Sequence, residues 1–208
     1  LTDDLSKLFN QLSGFAPQST YARLLVAPRT LRPGLIEKID QEIQNAKDGM
    51  PSGVQLKLNS LLDEEFVEAL YKASIAGVEV DLVIRGICAL LPGIAGVSEN
   101  IRVRSVLGRF LEHSRIFHFA NGGDDEIYIG SADLMDRNLN RRVESLVRIV
   151  RAEHKKSLIS ILDQYLASTT AAWHLVSSGR WQRVDKDPSG KPLADLQAVI
   201  INSYRANG

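Results

Sequence analysis

The stretch GVQLKLNSLLDEEFVEALYKASIAGVEVDLVIRG, residues 53–86, decides the fold class. Its opening, GVQLKLN, alternates, with Val54, Leu56 and Leu58 on one face, the period of a half-buried strand. Phe66, Val67, Leu70 and Ala73 then recur at helical spacing over residues 63–75. The closing run VEVDLVIR, residues 78–85, is β-branched and apolar, as in a strand covered on both faces. A strand, a helix and a strand in this order make a right-handed crossover between parallel strands.

The same alternation extends outward. Upstream, ARLLVA (residues 22–27) reads as a short buried strand ended by Pro28. Leu35, Ile36, Ile39, Ile43 and Ala46 mark a helix stopped by Gly49 and Pro51. Leu1, Leu5, Leu8, Phe9 and Leu12 mark an earlier helix, stopped by Gly14 and Pro17. Downstream come a Gly/Pro loop (86–98), strands near 101–106, 114–119, 126–130 and 143–150, and an amphipathic helix near 152–168. The tail carries a strand through Trp173–Val176, the turn-rich DKDPSGKP, and a helix near 192–205. The expectation is one α/β domain with a mixed, largely parallel sheet and helices on both faces, behind a helical lead-in.

A chain of 208 residues suffices for one substantial core. Its 25 basic and 25 acidic residues cancel, so no global basic field points to nucleic acid or a membrane. Any anion site must arise by local clustering. A single cysteine, Cys88, cannot form an internal disulfide, which fits a reducing compartment. The sequence has no apolar run long enough to span a bilayer, and it opens on Leu1 as a fragment would.

Chemistry concentrates in GRFLEHSRIFHF, residues 108–119. In an extended segment His113 and Arg115 share a side, and a titratable imidazole beside a fixed cation suits phosphate. YIGSADLMDRN, residues 128–138, follows, with Gly130 and Ser131 ending a strand. The plainer reading makes His113 a satisfied histidine at a strand start and GSAD a turn. Arg85, the polar end of VDLVIR, stands where ligands gather beyond strand ends, or else it simply carries the strand into solvent. Charges are segregated: residues 101–115 hold Arg102, Arg104, Arg109 and Arg115 against Glu112, and residues 137–156 hold seven Lys/Arg against Glu144 and Glu153. Such runs are either solvated faces or the walls of a polyanion site. No Walker loop and no Cys/His metal spacing occur in the sequence. His118, Trp173 and Trp181 read as packing residues.

LLVAPRTLRPGLIEKIDQEI, LVIRGICALLPGIAGVSENIRV and FLEHSRI with NGGDDEIYIGSADLMDRN together resemble the C-terminal part of bacterial polyphosphate kinase, which has tandem phospholipase-D-like domains. The resemblance implies that residues 1–20 are the tail of a preceding domain or a linker, and that 21–208 form the C-terminal phospholipase-D-like domain. It implies reversible transfer of the ATP γ-phosphate to polyphosphate through a phosphohistidine on an upstream domain, so this piece alone is expected to be inactive. By motif, Arg85 and His113 contact the nucleotide phosphates, His113 as acid, base or transition-state donor. Arg115 joins them, with Ser131 and Arg137 as lesser candidates. Magnesium is expected to be held mainly upstream, with no metal site in this piece. ATP or ADP, polyphosphate, the upstream domains and a homo-oligomeric enzyme are the implied partners, without nucleic acid. The implied location is the cytoplasm, including the inner face of the membrane.

The sequence departs from the general phospholipase-D signature. Arg115 replaces its lysine, Ala120 its aspartate, and Asp133 its asparagine. A dimeric phosphodiesterase acting through His113 and a non-catalytic polyphosphate-binding domain are the alternative readings.

Overall fold

The computed structural model describes residues 1–14 and 20–206, so the expected stop at Pro17 lies outside the described residues. Its elements are α1 (Thr2–Leu12), β1 (Leu24–Val26), α2 (Leu31–Lys47), β2 (Val54–Leu58), α3 (Glu64–Ile75), β3 (Val80–Ile84), β4 (Ile101–Ser105), β5 (Ile116–Phe119), β6 (Glu126–Gly130), β7 (Ser145–Ile149), α4 (Ala152–Leu166), β8 (Ala172–Leu175), β9 (Trp181–Val184) and α5 (Leu196–Ala206).

The deciding stretch folds as its pattern predicts. Asp63 caps α3 by accepting the Phe66 amide at 3.1 Å, and Glu64 and Glu65 complement the helix dipole. Gly77, at φ 91°, turns the chain out of α3 into β3, which pairs parallel with β2 from Val54↔Val80 to Leu58↔Ile84.

The nine strands among the described residues lie in one sheet, ordered β1-β7-β6-β5-β2-β3-β4-β8-β9. The sheet is mixed, but the expectation that it is largely parallel is corrected. Only β2–β3 and β3–β4 are parallel, and the other six pairings are antiparallel. The β1–α2–β2 crossover does not join neighbours: β1 pairs with β7, and the antiparallel run β7-β6-β5 lies between β1 and β2. Local hydrophobic periodicity is the same whether a crossover skips strands or not, so pairing partners stay hidden from it.

Helices cover both faces. Leu31, Leu35 and Ile39 of α2 and Phe66, Leu70 and Ala73 of α3 bury against Leu56, Leu82, Val103, Phe117 and Phe119. On the other face, Leu162 and Tyr165 of α4 and Leu196 of α5 pack on Val83, Val106, Ile116 and Ile127. The tail extends the sheet, β8 on β4 and β9 on β8, and β9 went unanticipated because its QRV reads as surface. Trp181 packs against the principal core while Trp173 remains partly exposed, and buried His118 bonds Gln55 and Asp125. Among the described residues no helix is long and apolar enough to cross a membrane.

Candidate functional site

β2, β3 and β6 run in one direction, β5 and β7 in the other, so their C-terminal and N-terminal ends respectively meet at one edge of the sheet. Asn59 and Ser60 follow β2, Arg85 follows β3, His113 and Arg115 precede β5, Ser131 and Asp133 follow β6, and Arg142 and Glu144 precede β7. With Arg137 and Asn138 they line a cleft of about 420 Å³. All five site residues expected from the sequence are among them: Arg85, His113, Arg115, Ser131 and Arg137.

A continuous polar chain runs through the cleft. Arg85 Nε donates to Asn59 Oδ1 at 2.8 Å. The Asn59 amide nitrogens, backbone and side chain, donate to Asp133 Oδ1 at 2.8 and 3.3 Å. Asp133 in turn accepts from Arg115, Nη2 at 2.8 Å and Nε at 3.2 Å. Arg115 Nη1 donates to the His113 carbonyl at 3.0 Å, and its two terminal nitrogens lie 3.2 and 3.3 Å from the imidazole nitrogens. A neutral imidazole offers one lone pair, so only one of these two ring contacts is a hydrogen bond at a time.

Burial divides the labour. Arg115 and Asp133 are buried, and at any moment up to four of the five guanidinium donors are engaged by Asp133 and His113. His113 itself is exposed to the cleft, and Arg85 is half-buried with its terminal nitrogens free of partners among the described residues. Ser131 and Arg137 are exposed. Burial would push the Asp133 carboxyl up, but the Arg115 guanidinium and the Asn59 amides outweigh it and hold the group below the usual carboxylate range. Gly130 is required where β6 meets β7, because a Cβ there would strike the Ser145 carbonyl and Leu146. That close approach sets Ser131 and Ser145 together, with Ser131 Oγ accepting the Ser145 amide at 3.3 Å.

Four arginines (Arg85, Arg115, Arg137 and Arg142) face two carboxylates (Asp133 and Glu144) in this cleft. Both carboxylates are engaged, Asp133 by Arg115 and Glu144 by Asn138 Nδ2 at 2.7 Å. The cleft therefore carries a surplus of positive charge, which favours an anion over a cation. Ala120, by contrast, lies past the other end of β5, where its amide donates to Gly53, and takes no part.

Residues 24–194 match the family model described as polyphosphate kinase C-terminal domain 2. The chain belongs to that family. The polyphosphate kinase C-terminal domain 2 match is accompanied by 54% identity over 202 residues to the polyphosphate kinase of Streptomyces coelicolor, covering 97% of this chain and 27% of that protein. The chain thus spans about a quarter of the length of such a relative. The crystal structure of polyphosphate kinase from Porphyromonas gingivalis superposes with a TM-score of 0.89 at 38% identity, covering 98% of this chain and 31% of that one. Nuc from Salmonella typhimurium, a phospholipase D family member, shares the fold at a TM-score of 0.52 and 16% identity, covering 78% of this chain and 97% of Nuc.

For a polyphosphate kinase C-terminal domain 2, the sequence did not mark Ser60, Asn138, Arg142 or Glu144 as cleft residues, and it noted Asp133 only as a departure from the signature, without its partner Asn59. Asn59 and Asp133 are far apart in sequence, and their meeting depends on the β2-β5-β6 pairing. One signal was available. Arg115 and Asp133 both depart from the phospholipase-D signature, and a cation and an anion changed together suggest a pair. His113 and Arg115 also sit on an extended lead-in to β5, not within the strand as expected, because side chains and not a ladder hold that segment. Among the described residues no cluster of three or more His, Cys, Asp or Glu could hold a metal ion. The cleft's two carboxylates, engaged as above, do not fit a resident magnesium.

Proposed function

We propose that this chain supplies the nucleotide-phosphate half of an ATP:polyphosphate phosphotransferase whose nucleophilic histidine lies on a preceding domain, with residues 1–20 as its tail or linker and 21–208 as this domain. The observation that carries the reading is the chain Arg85–Asn59–Asp133–Arg115–His113. It sets a free guanidinium edge and an exposed imidazole in one arginine-rich cleft.

Phosphoryl transfer needs neutralised charge and in-line placement more than covalent chemistry from its protein. Arg85 takes phosphate oxygens through its free nitrogens, and Ser131 and Arg137 add donors at the rim. Arg115, with its donors engaged, orients His113 and lends positive charge without leaving Asp133. In the forward direction the histidine nitrogen on the preceding domain bonds to the γ-phosphorus as the bond to the β–γ bridging oxygen breaks. His113 donates a hydrogen bond or a proton to that leaving oxygen, and ADP departs. A terminal polyphosphate oxygen then attacks the phosphorus and the P–N bond breaks, lengthening the chain by one phosphate. Magnesium, which would neutralise phosphate charge, would be held by residues outside this chain. The enzyme so assembled is cytoplasmic or peripheral to the inner membrane face, is homo-oligomeric, and has no role with nucleic acid.

The test uses γ-labelled ATP with the full-length protein, its His113→Ala variant and the present chain alone. Full-length protein is expected to become labelled on histidine and to elongate polyphosphate. His113→Ala is expected to slow transfer by roughly 10²–10⁴-fold while thermal stability holds. The isolated chain should bind nucleotide at most. Stoichiometric labelling of the isolated chain, or full-rate transfer by His113→Ala, overturns the reading.

A further inference from the structure

The segment carrying His113 is held from behind by a second polar cluster that none of the cleft chemistry uses. In residues 112–115 side chains alternate: His113 and Arg115 face the cleft, while Glu112 and Ser114 face the α4 side of the sheet. Lys57, buried in the middle of the sheet on β2, reaches both of the latter, at 3.1 Å to Glu112 Oε2 and 2.9 Å to Ser114 Oγ. Its ammonium also sits 4.7 Å from the centre of the Tyr165 ring, and the Tyr165 hydroxyl bonds the same Glu112 carboxylate. The two residues that flank His113 are therefore tied to one cation.

The other Glu112 oxygen is taken by the tail. Gln197 of α5 donates from Nε2 to Glu112 Oε1 at 2.8 Å and to the Phe110 carbonyl at 2.9 Å, and its Oε1 accepts the Phe110 amide at 2.8 Å. Gln197 thus pairs with Phe110 as a neighbouring strand would. The Gln197 amide lies close over Gly108, where a Cβ would oblige that side chain to move. Gln197 is buried and all its polar atoms are matched.

Burial pushes the Lys57 ammonium below its ordinary value, with Glu112 opposing the shift. A buried ion pair of this sort adds little net stability over an apolar pair of the same shape. What it does provide is a fixed backbone on either side of one exposed histidine. From these observations, and on the reading that His113 acts on nucleotide phosphate, we infer that Lys57, Tyr165 and Gln197 are positioning residues that fix His113 through Glu112 and Ser114, making the C-terminal helix α5 part of the catalytic apparatus.

The test is a double-mutant cycle in the full-length enzyme, pairing Gln197→Leu with His113→Ala and reading kcat, KM for ATP and thermal midpoint. Positioning predicts that Gln197→Leu lowers kcat by roughly 10–100-fold with KM for ATP within about threefold, as misplacement of a catalytic group does. It also predicts that the same change costs almost nothing once His113 is alanine. Tyr165→Phe, which removes one hydroxyl and keeps the ring, repeats the cycle with a smaller fall should Gln197→Leu fail to fold. A merely structural role would lower the thermal midpoint and leave kcat per folded molecule unchanged, and that result overturns the inference. So does an equal loss of kcat in the wild-type and His113→Ala backgrounds. If His113→Ala alone turns over at the wild-type rate, the functional reading fails first and this inference falls with it.

Discussion

Arg115 Nη2 and Asp133 Oδ2 lie 2.8 Å apart, both buried, at two positions where this chain departs from the phospholipase-D signature. The two residues act structurally as one unit, a forked cation answered by a carboxylate. Asp133→Asn is expected to cost about 3–5 kcal/mol in urea unfolding, because it leaves a buried guanidinium without its anion. Pairing that change with Arg115→Lys should recover part of the loss, and a coupling energy near zero would contradict the pairing.

The same carboxylate sets a pH signature. Asp133 is held below the roughly 3.9 of an unfolded aspartate, against the upward push of burial, by Arg115 and Asn59. A group with a depressed folded value stabilises fully above the unfolded value and loses that contribution as pH falls through the folded one. The stability gap between wild type and Asp133→Asn should therefore be flat from about pH 7 to about pH 5 and close below about pH 4. A gap that widens on acidification would reverse the assignment.

Among the described residues Arg85 is the one cleft arginine tethered by Nε alone to a side chain, leaving its terminal nitrogens available. Charge-assisted contacts of this kind contribute about 1.5–3 kcal/mol each, so Arg85→Ala should weaken nucleotide binding by about one to two powers of ten. Asn59→Ala should give a smaller loss by freeing Arg85 to swing. Titration of full-length protein with a fluorescent ATP analogue separates the two.

Burial pushes the Cys88 thiol up to about 11, with the Leu90 carbonyl accepting from it as a weak counterweight. At pH 8 only about one thiol in a thousand is then ionised, and the thiolate is the reactive form. Native protein should stay unmodified by iodoacetamide over an hour at pH 8 and take up one equivalent in urea, as read by intact mass.

The deciding stretch gave up its secrets because β2, α3 and β3 are neighbours in space as in sequence, so period and pairing coincide. β1 shows the opposite case: its apolar run is legible, but its partner β7 lies beyond five intervening strands in sequence, a span that no local window contains. The site divides in the same way. Arg85, His113 and Ser131 could be picked out because polar residues at the ends of apolar strands stand out. Asn59 could not, since its value depends on reaching Asp133 across β5 and β6. Gln197 lies still further off, and only the fold brings the tail to Phe110.

The tail hairpin has a consequence beyond the catalytic cleft. Without β8, the sheet would end at β4, whose Val103–Ser105 backbone would stand open as a template for strand addition by another molecule. β8 closes that edge and hands it to β9, four residues long, with Gln182, Arg183 and Val184 exposed and Arg183 carrying charge. At the opposite margin β1 offers only three residues. Both margins are thus poor seeds for edge-to-edge growth, and a chain shortened before Ala172 should clump during expression where the longer one stays dispersed.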